Sequence, residues 1–289
     1  MENPTTPADD GVAPEGLPLD DDYTAQRNLP LQTVVSADGT EIAYEVWGSG
    51  PPVVVIGGGL NDRAMFTPFA SIMAANFSVY NYDRRGRGDS GLGDPDTYVI
   101  EREVEDLAAV IAATGEPTHV FANCTGGMIA IHAAASGVPM AKLGMYEPPY
   151  LYPKITPENM AKLRKLVAED RREEAVTLFG RDVVGFLTDE TLEMFKQHPA
   201  WKAFESMVPS TVYDAVISEQ HSSIPSEILP DVTVPTLILS GMDSATSIQQ
   251  ACIILSEEIP DAELIRLEGE GHLFNQKVGA PLMAEFFAA

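Results

Sequence analysis

Cys124 stands in the stretch F-A-N-C-T-G-G-M (residues 121–128), after the apolar run T-H-V-F-A and before the helically spaced G-G-M-I-A-I-H-A-A-A. A thiol at a sharp strand-to-helix turn, with small residues at Ala122 and Gly126, is placed for nucleophilic chemistry. The small flanks let strand and helix approach closely, and the helix N-terminus behind the sulfur favours a thiolate. The backbone N–H of Thr125 points to where an oxyanion would form. Most free cysteines are simply small buried hydrophobes, and that is the reading for Cys252 in the apolar segment S-I-Q-Q-A-C-I-I-L.

A nucleophile needs a base. Of the five histidines, His119 lies in the strand before Cys124 and His132 in the helix after it, positions that suit structural roles. His198 and His221 fall in a helical stretch further on. His272, in the glycine-containing loop E-G-E-G-H-L-F, follows the last expected strand, where side chains project over a sheet's C-terminal edge. Two carboxylates compete to orient it: Glu147, ahead of Pro148-Pro149, and Asp243, after T-L-I-L-S-G. The loop Gly57-Gly58-Gly59-Leu60 allows close backbone approach to a ligand, so Gly58 and Gly59 are expected as oxyanion donors beside Thr125. It lacks the G-x-G-x-x-G pattern of a dinucleotide loop. The basic, glycine-rich stretch D-R-R-G-R-G-D-S (83–90) reads as a structural turn rather than a phosphate site, and no Cys/His cluster has metal spacing. No cofactor is expected.

The elements around these residues alternate. Residues 31–50 form an expected hairpin around A-D-G-T; V-V-V-I-G-G-G and F-S-V-Y-N-Y-D-R are buried strands; and residues 99–114 have helical spacing with Val104, Leu107, Ala108 and Ile111 on one face. T-H-V-F-A and K-L-G-M-Y-E continue the pattern, which stops from about Tyr150 to Pro230 and resumes with V-P-T-L-I-L-S-G. This is an α/β fold, a mostly parallel central sheet flanked by helices, with a helical cap inserted after the sixth strand. The expected division is an acidic tail (1–27), a core (28–149 and 231–289) and the cap (150–230).

The formal charge of −25 repels phosphates, so neither nucleic acid nor an anionic membrane is an expected partner. No apolar run is long enough to span a bilayer, and the start M-E-N-P-T-T-P-A-D-D has no signal-peptide pattern. Two cysteines make no disulfide framework, which fits a reducing cytoplasm.

On G-G-G after the third strand, D-R-R-G-R-G-D-S, A-N-C-T-G-G and G-H-L-F, the chain resembles the α/β-hydrolase superfamily over most of residues 31–148 and 231–289. The order nucleophile, acid, histidine is that of the superfamily. The resemblance implies a triad of Cys124, His272 and an acid. Many members keep the acid after the strand that precedes Asp243, three residues beyond the glycine, but that position here is Ser244; others keep it after the sixth strand, where Glu147 stands. Glu147 is therefore preferred, with Asp243 as the alternative.

Cysteine at the turn is shared with dienelactone hydrolases, which are shorter and lack so large a cap. It is also shared with the Dieckmann cyclases that release tetramic acids and pyridones from polyketide–peptide assembly lines, which the whole chain resembles more. That resemblance implies an acyl or peptidyl carrier protein as partner, docked on basic cap segments such as K-L-R-K (162–165) or R-R (171–172). It also implies an apolar cap pocket excluding water, with Leu178, Phe179, Phe186, Leu187, Phe195, Trp201, Phe204 and Met207 as candidates and Leu60, Trp201, Phe204 and Met207 as substrate contacts. A cysteine hydrolase or thioesterase and a non-catalytic binding protein are the other readings.

Overall fold

The computed structural model of the protein describes residues 29–185, 189–198 and 201–289. The expected acidic tail, 1–27, and the cap candidates Phe186 and Leu187 lie outside the described residues.

Eight strands form one sheet in the order β1-β2-β4-β3-β5-β6-β7-β8. β1 (Gln32–Val35) and β2 (Glu41–Trp47) make the expected antiparallel hairpin, and β2 also runs antiparallel to β4 (Ser78–Tyr82). β3 (Pro52–Ile56), β5 (His119–Asn123), β6 (Lys142–Tyr146), β7 (Thr236–Gly241) and β8 (Ala262–Leu267) are parallel to one another and β3 to β4. The period of two along each strand sorts side chains to opposite faces. Val54, Ile56, Val120 and Ala122 belong to one apolar cluster, and Val53, Val55 and Phe121 to the other.

Helices cover both faces. α1 (Thr67–Met73) and α10 (Gln276–Ala288) close the face of Phe121, whose ring stacks on Phe69 at 4.2 Å. α2 (Ile100–Thr114), α3 (Thr125–Ala135) and α9 (Thr246–Glu258) supply the other. The buried face of α2 differs from the expected one. Leu107 and Ile111 are inside, but Val104 and Ala108 are half-buried, and Glu103 and Asp106 are buried instead. The helix is turned because those carboxylates pair with Arg84 and Arg85 inside the protein.

Between β6 and β7 come α4 (Pro157–Ala168), α5 (Arg172–Leu178), a π-helical turn (Phe179–Val183), α6 (Asp189–Gln197), α7 (Trp201–Ser206) and α8 (Thr211–His221). Their apolar residues, among them Leu163, Val176, Phe179 and Ile217, join the sheet-side cluster of α2 and α3, so this helical insertion packs as one body with the core.

The sheet's C-terminal edge carries the chemistry-bearing loops: Gly57–Gly59 after β3, Asp83–Ser90 after β4, Cys124 after β5, Glu147 after β6, Ser244 after β7 and His272 after β8. Strand order reverses between β3 and β5, and crevices at such reversals are where open parallel sheets bind ligands.

Candidate active site

Cys124 has φ 52° and ψ −126°, a conformation that costs a non-glycine residue on the order of 1–3 kcal/mol. Neighbouring hydrogen bonds hold it there. Its N–H donates to the Tyr146 carbonyl at 2.9 Å, and its carbonyl accepts from the Gly127 N–H at 2.8 Å. Gly126 is required by close approach: a Cβ there would lie 2.7 Å from the Ile56 carbonyl oxygen. The thiol is half-buried and free, while Cys252 is buried in α9, where burial pushes its thiol up to about 12.

Glu147, at φ 45°, is fully buried directly after β6. Its Oε1 accepts from the Gly241 N–H at 2.7 Å and the Ser240 hydroxyl at 3.2 Å. Its Oε2 accepts from the Ser244 hydroxyl at 2.8 Å and from His272 Nδ1 at 2.7 Å. Asp243 is exposed, tied to the β8 loop through its own N–H to the Glu270 carbonyl at 3.0 Å. The geometry therefore joins His272 to Glu147 and leaves Asp243 outside.

His272 lies between this carboxylate and the Cys124 sulfur. Burial alone would lower its pKa. The negative charge of Cys124 and a hydrogen bond to it, followed by the hydrogen bond and charge of Glu147, outweigh burial and push the imidazole up to about 10. The arrangement sets one imidazole between the Cys124 sulfur and a buried carboxylate.

The oxyanion loops differ in detail from expectation. The Gly58 N–H, expected as a donor, is already given to Asn61 Oδ1 at 3.2 Å, because Asn61 folds back under the loop. Among the described residues, the N–H groups of Gly59 and Thr125 take no acceptor, so both are available to a ligand oxygen. Gly58 serves instead by close approach, since a Cβ on it would fall 2.7 Å from Cys124 Cβ. Leu60 is 2 % exposed with φ 49°, packed into the core beneath the loop rather than presented to a ligand.

Trp201, Phe204 and Met207 are buried in the apolar cluster of the cap, with Phe204 5.7 Å from Phe195, so they build the cap's own interior. They are buried because short amphipathic helices can only stack by pooling their largest apolar side chains. Two other cap residues meet the oxyanion loop. A methyl group on Gly59 would lie 3.4 Å from the Phe179 ring and 3.5 Å from Asp214 Oδ2. Tyr152, which the sequence did not single out, lies near Cys124: burial, then the Cys124 charge, raise its phenol above the ordinary range.

Sequence reasoning also missed the charged cluster beneath the site. Arg84 Nε and Nη2 donate to the two oxygens of Glu103 at 2.5 and 2.6 Å, and its Nη1 donates to Thr125 Oγ1 at 3.0 Å and to Asp214 Oδ1 at 3.1 Å. Arg87 Nη2 donates to Asp214 Oδ2 at 2.6 Å. The only available signal was three arginines in one glycine-rich turn; their partners are far away in sequence.

Among the described residues no group of His, Cys, Asp and Glu is arranged to hold a metal ion, and no helix is long and apolar enough to cross a membrane. On the cap surface, Arg171 pairs with Glu169 and Glu174, and Arg172 with Asp170, so the R-R segment is largely neutralised.

An eight-stranded sheet of this order, a strained strand-to-helix turn at Cys124 after β5 and a histidine after β8 define an α/β-hydrolase-type enzyme. The chain belongs to that family: residues 53–281 match the model of the alpha/beta hydrolase family. It is similar to the crystal structure of an alpha/beta hydrolase from Sphaerobacter thermophilus, at 40% identity and a TM-score of 0.81, covering 89% of this chain and 100% of that one. A zearalenone hydrolase from Cladophialophora bantiana is 26% identical over 240 residues, which is 70% of this chain and 89% of the relative. A thermophilic esterase from Thermogutta terrifontis shares the fold, with a TM-score of 0.70 at 23% identity, covering 90% and 98% of the two chains.

Proposed function

We propose that the protein is an acyl-transfer enzyme whose nucleophile is Cys124, and that it closes a ring by carbon–carbon bond formation on a thioester-bound chain. The observation that carries this is the thiol itself, set at the strained turn beside an imidazole held at a pKa of about 10 by Cys124 and Glu147. A thiolate takes an acyl group from a phosphopantetheine thioester with little change in bond energy. The acyl-cysteine is a better electrophile toward a carbanion than a serine ester.

The steps balance as follows. The Cys124 thiolate attacks the thioester carbonyl, whose oxygen is received by the Gly59 and Thr125 N–H groups. Collapse breaks the carbon–sulfur bond to the carrier, and the departing thiolate takes the proton from His272. Neutral His272 then removes a proton from the carbon between the β-keto and amide carbonyls, a step in which general base catalysis typically contributes ~10²–10⁴-fold. That carbanion attacks the acyl-Cys124 carbonyl. The new carbon–carbon bond expels the Cys124 thiolate, restoring its pairing with the protonated His272. Glu147 holds the imidazole through Nδ1 so that the opposite nitrogen faces the reacting atoms.

The named relatives are hydrolases and an esterase, and this favours a second reading in which water accepts the acyl group. An N-acetylcysteamine thioester of a β-ketoamide, followed by mass spectrometry, separates the two. A cyclic product with release of thiol supports ring closure; the free acid alone overturns it in favour of hydrolysis.

A further inference from the structure

We propose that Arg84, Arg87 and the cap residue Asp214 are positioning residues that aim the two oxyanion N–H groups, making cap helix α8 a working part of the oxyanion site. This rests on the acyl-transfer reading above and goes beyond it.

The Gly59 N–H and the Gly58 carbonyl belong to one planar trans peptide, so they point in opposite directions. The Gly58 oxygen is held from below by Arg87 Nη1, in a short hydrogen bond, and by Arg84 Nη1 at 3.3 Å. Fixing that oxygen fixes the Gly59 N–H toward the site above. Asn61 Oδ1 takes the Gly58 N–H, so the preceding peptide is held as well. On the other side, the Thr125 hydroxyl accepts from Arg84 Nη1 at 3.0 Å and donates to Asp214 Oδ1 at 3.2 Å, which orients the first residue of α3 and with it the second N–H.

Both loops therefore hang on one guanidinium nitrogen, Arg84 Nη1, and on the carboxylate that receives it. Arg84, Arg87, Glu103 and Asp214 are each no more than 3 % exposed, two cations and two anions in balance. A buried arginine with a bidentate carboxylate is already paired, and Glu103 gives Arg84 that partner from within the core. Asp214 does something else: it reaches in from α8 and bonds Arg84, Arg87 and Thr125 at once. A misplacement of about 1 Å at a reacting centre can cost on the order of 10²-fold in rate.

The test measures acylation of Cys124 by the acetyl thioester of N-acetylcysteamine under pre-steady-state conditions, with KM, the alkaline limb of the rate profile and thermal unfolding recorded alongside. Asp214→Asn and Thr125→Val should each slow acylation by roughly 10- to 100-fold with KM little changed. Their effects should not add, as expected of residues acting as one unit. Thr125→Ser, which keeps the hydroxyl, should restore the rate, and the alkaline limb set by His272 should stay in place in every variant. Should Asp214→Asn fail to fold, Thr125→Val against Thr125→Ser carries the same test. A wild-type protein that forms no Cys124 adduct removes the acyl-transfer reading, and this proposal with it. Adduct formation at the wild-type rate in both Asp214→Asn and Thr125→Val, whatever their melting temperatures, overturns the positioning role alone.

Discussion

Ser244 Oγ donates at 2.8 Å to Glu147 Oε2, the same carboxylate oxygen that accepts His272 Nδ1 at 2.7 Å. Ser244, three beyond Gly241, where the resemblance to the superfamily would place an acid, thus holds a carboxylate delivered by the neighbouring strand. Removing the carboxylate charge should therefore be severe. Glu147→Gln is expected to lower kcat by about 10²–10⁴-fold, while exposed Asp243→Asn should stay near wild type. Ser244→Ala removes a bond worth about 1–2 kcal/mol and should cost about 30-fold at most. Steady-state rates of the three variants check this; equal losses in Glu147→Gln and Asp243→Asn would contradict the assignment.

The raised pKa of His272 gives a pH dependence of definite sign. A group whose folded pKa is raised contributes stability that is complete below its unfolded pKa and is lost as pH rises through the folded value, here about 10. The same proton serves the departing thiol in acylation, so the acylation rate should fall as pH rises through that region. In Glu147→Gln, one of the partners raising the pKa is weakened, and the alkaline limb should move to lower pH. Stopped-flow acylation across the alkaline range measures both.

The closeness of the third-strand loop to the nucleophile allows a steric test. A Cβ at Gly58 would meet Cys124 Cβ at 2.7 Å and Asn123 Nδ2 at 3.3 Å. Gly58→Ala is expected to displace the sulfur or the loop and to lower kcat by on the order of 10²-fold, with far-UV circular dichroism unchanged.

Acid should loosen the contact between core and cap. His132 of α3 and His221 of α8 meet edge to face at 4.8 Å. Burial lowers the pKa of both below the ordinary histidine value; for His132 the neighbouring His221 lowers it further, while Glu101 and Glu227 act in the opposite sense, as Glu101 does on His221. Their neutral forms are the ones the fold favours, so stability is present above the unfolded pKa and is lost as pH falls through the depressed folded values. His221→Gln should keep its melting temperature further into acid than the wild type; an unchanged acid limb would sink this explanation.

The grouping of Cys124, His272 and Glu147 was legible in the sequence because it depends on local signals. Strand, small residue, Cys124, glycine and helix mark one turn, and a histidine in a glycine loop after the last strand marks another. Glu147 was favoured because Ser244 occupies the alternative position. The charge cluster was illegible for the opposite reason. Arg84 and Asp214 are brought together by the packing of the cap, and neither has a local pattern that announces a buried partner. The same physics rotated α2, where Glu103 and Asp106 took positions an apolar periodicity assigns to solvent. The use of the Gly58 N–H by Asn61 likewise depends on a loop conformation that three glycines leave open.

The central claim, that Cys124 carries the acyl group, is tested most directly by intact-protein mass spectrometry after brief incubation with an acyl N-acetylcysteamine thioester, followed by peptide mapping. The proposed acyl transfer requires a mass increase equal to one acyl group, located on the peptide containing Cys124 and absent from Cys124→Ala, which should also lose turnover. Undiminished turnover in Cys124→Ala, or an adduct mapped to another residue, would contradict it.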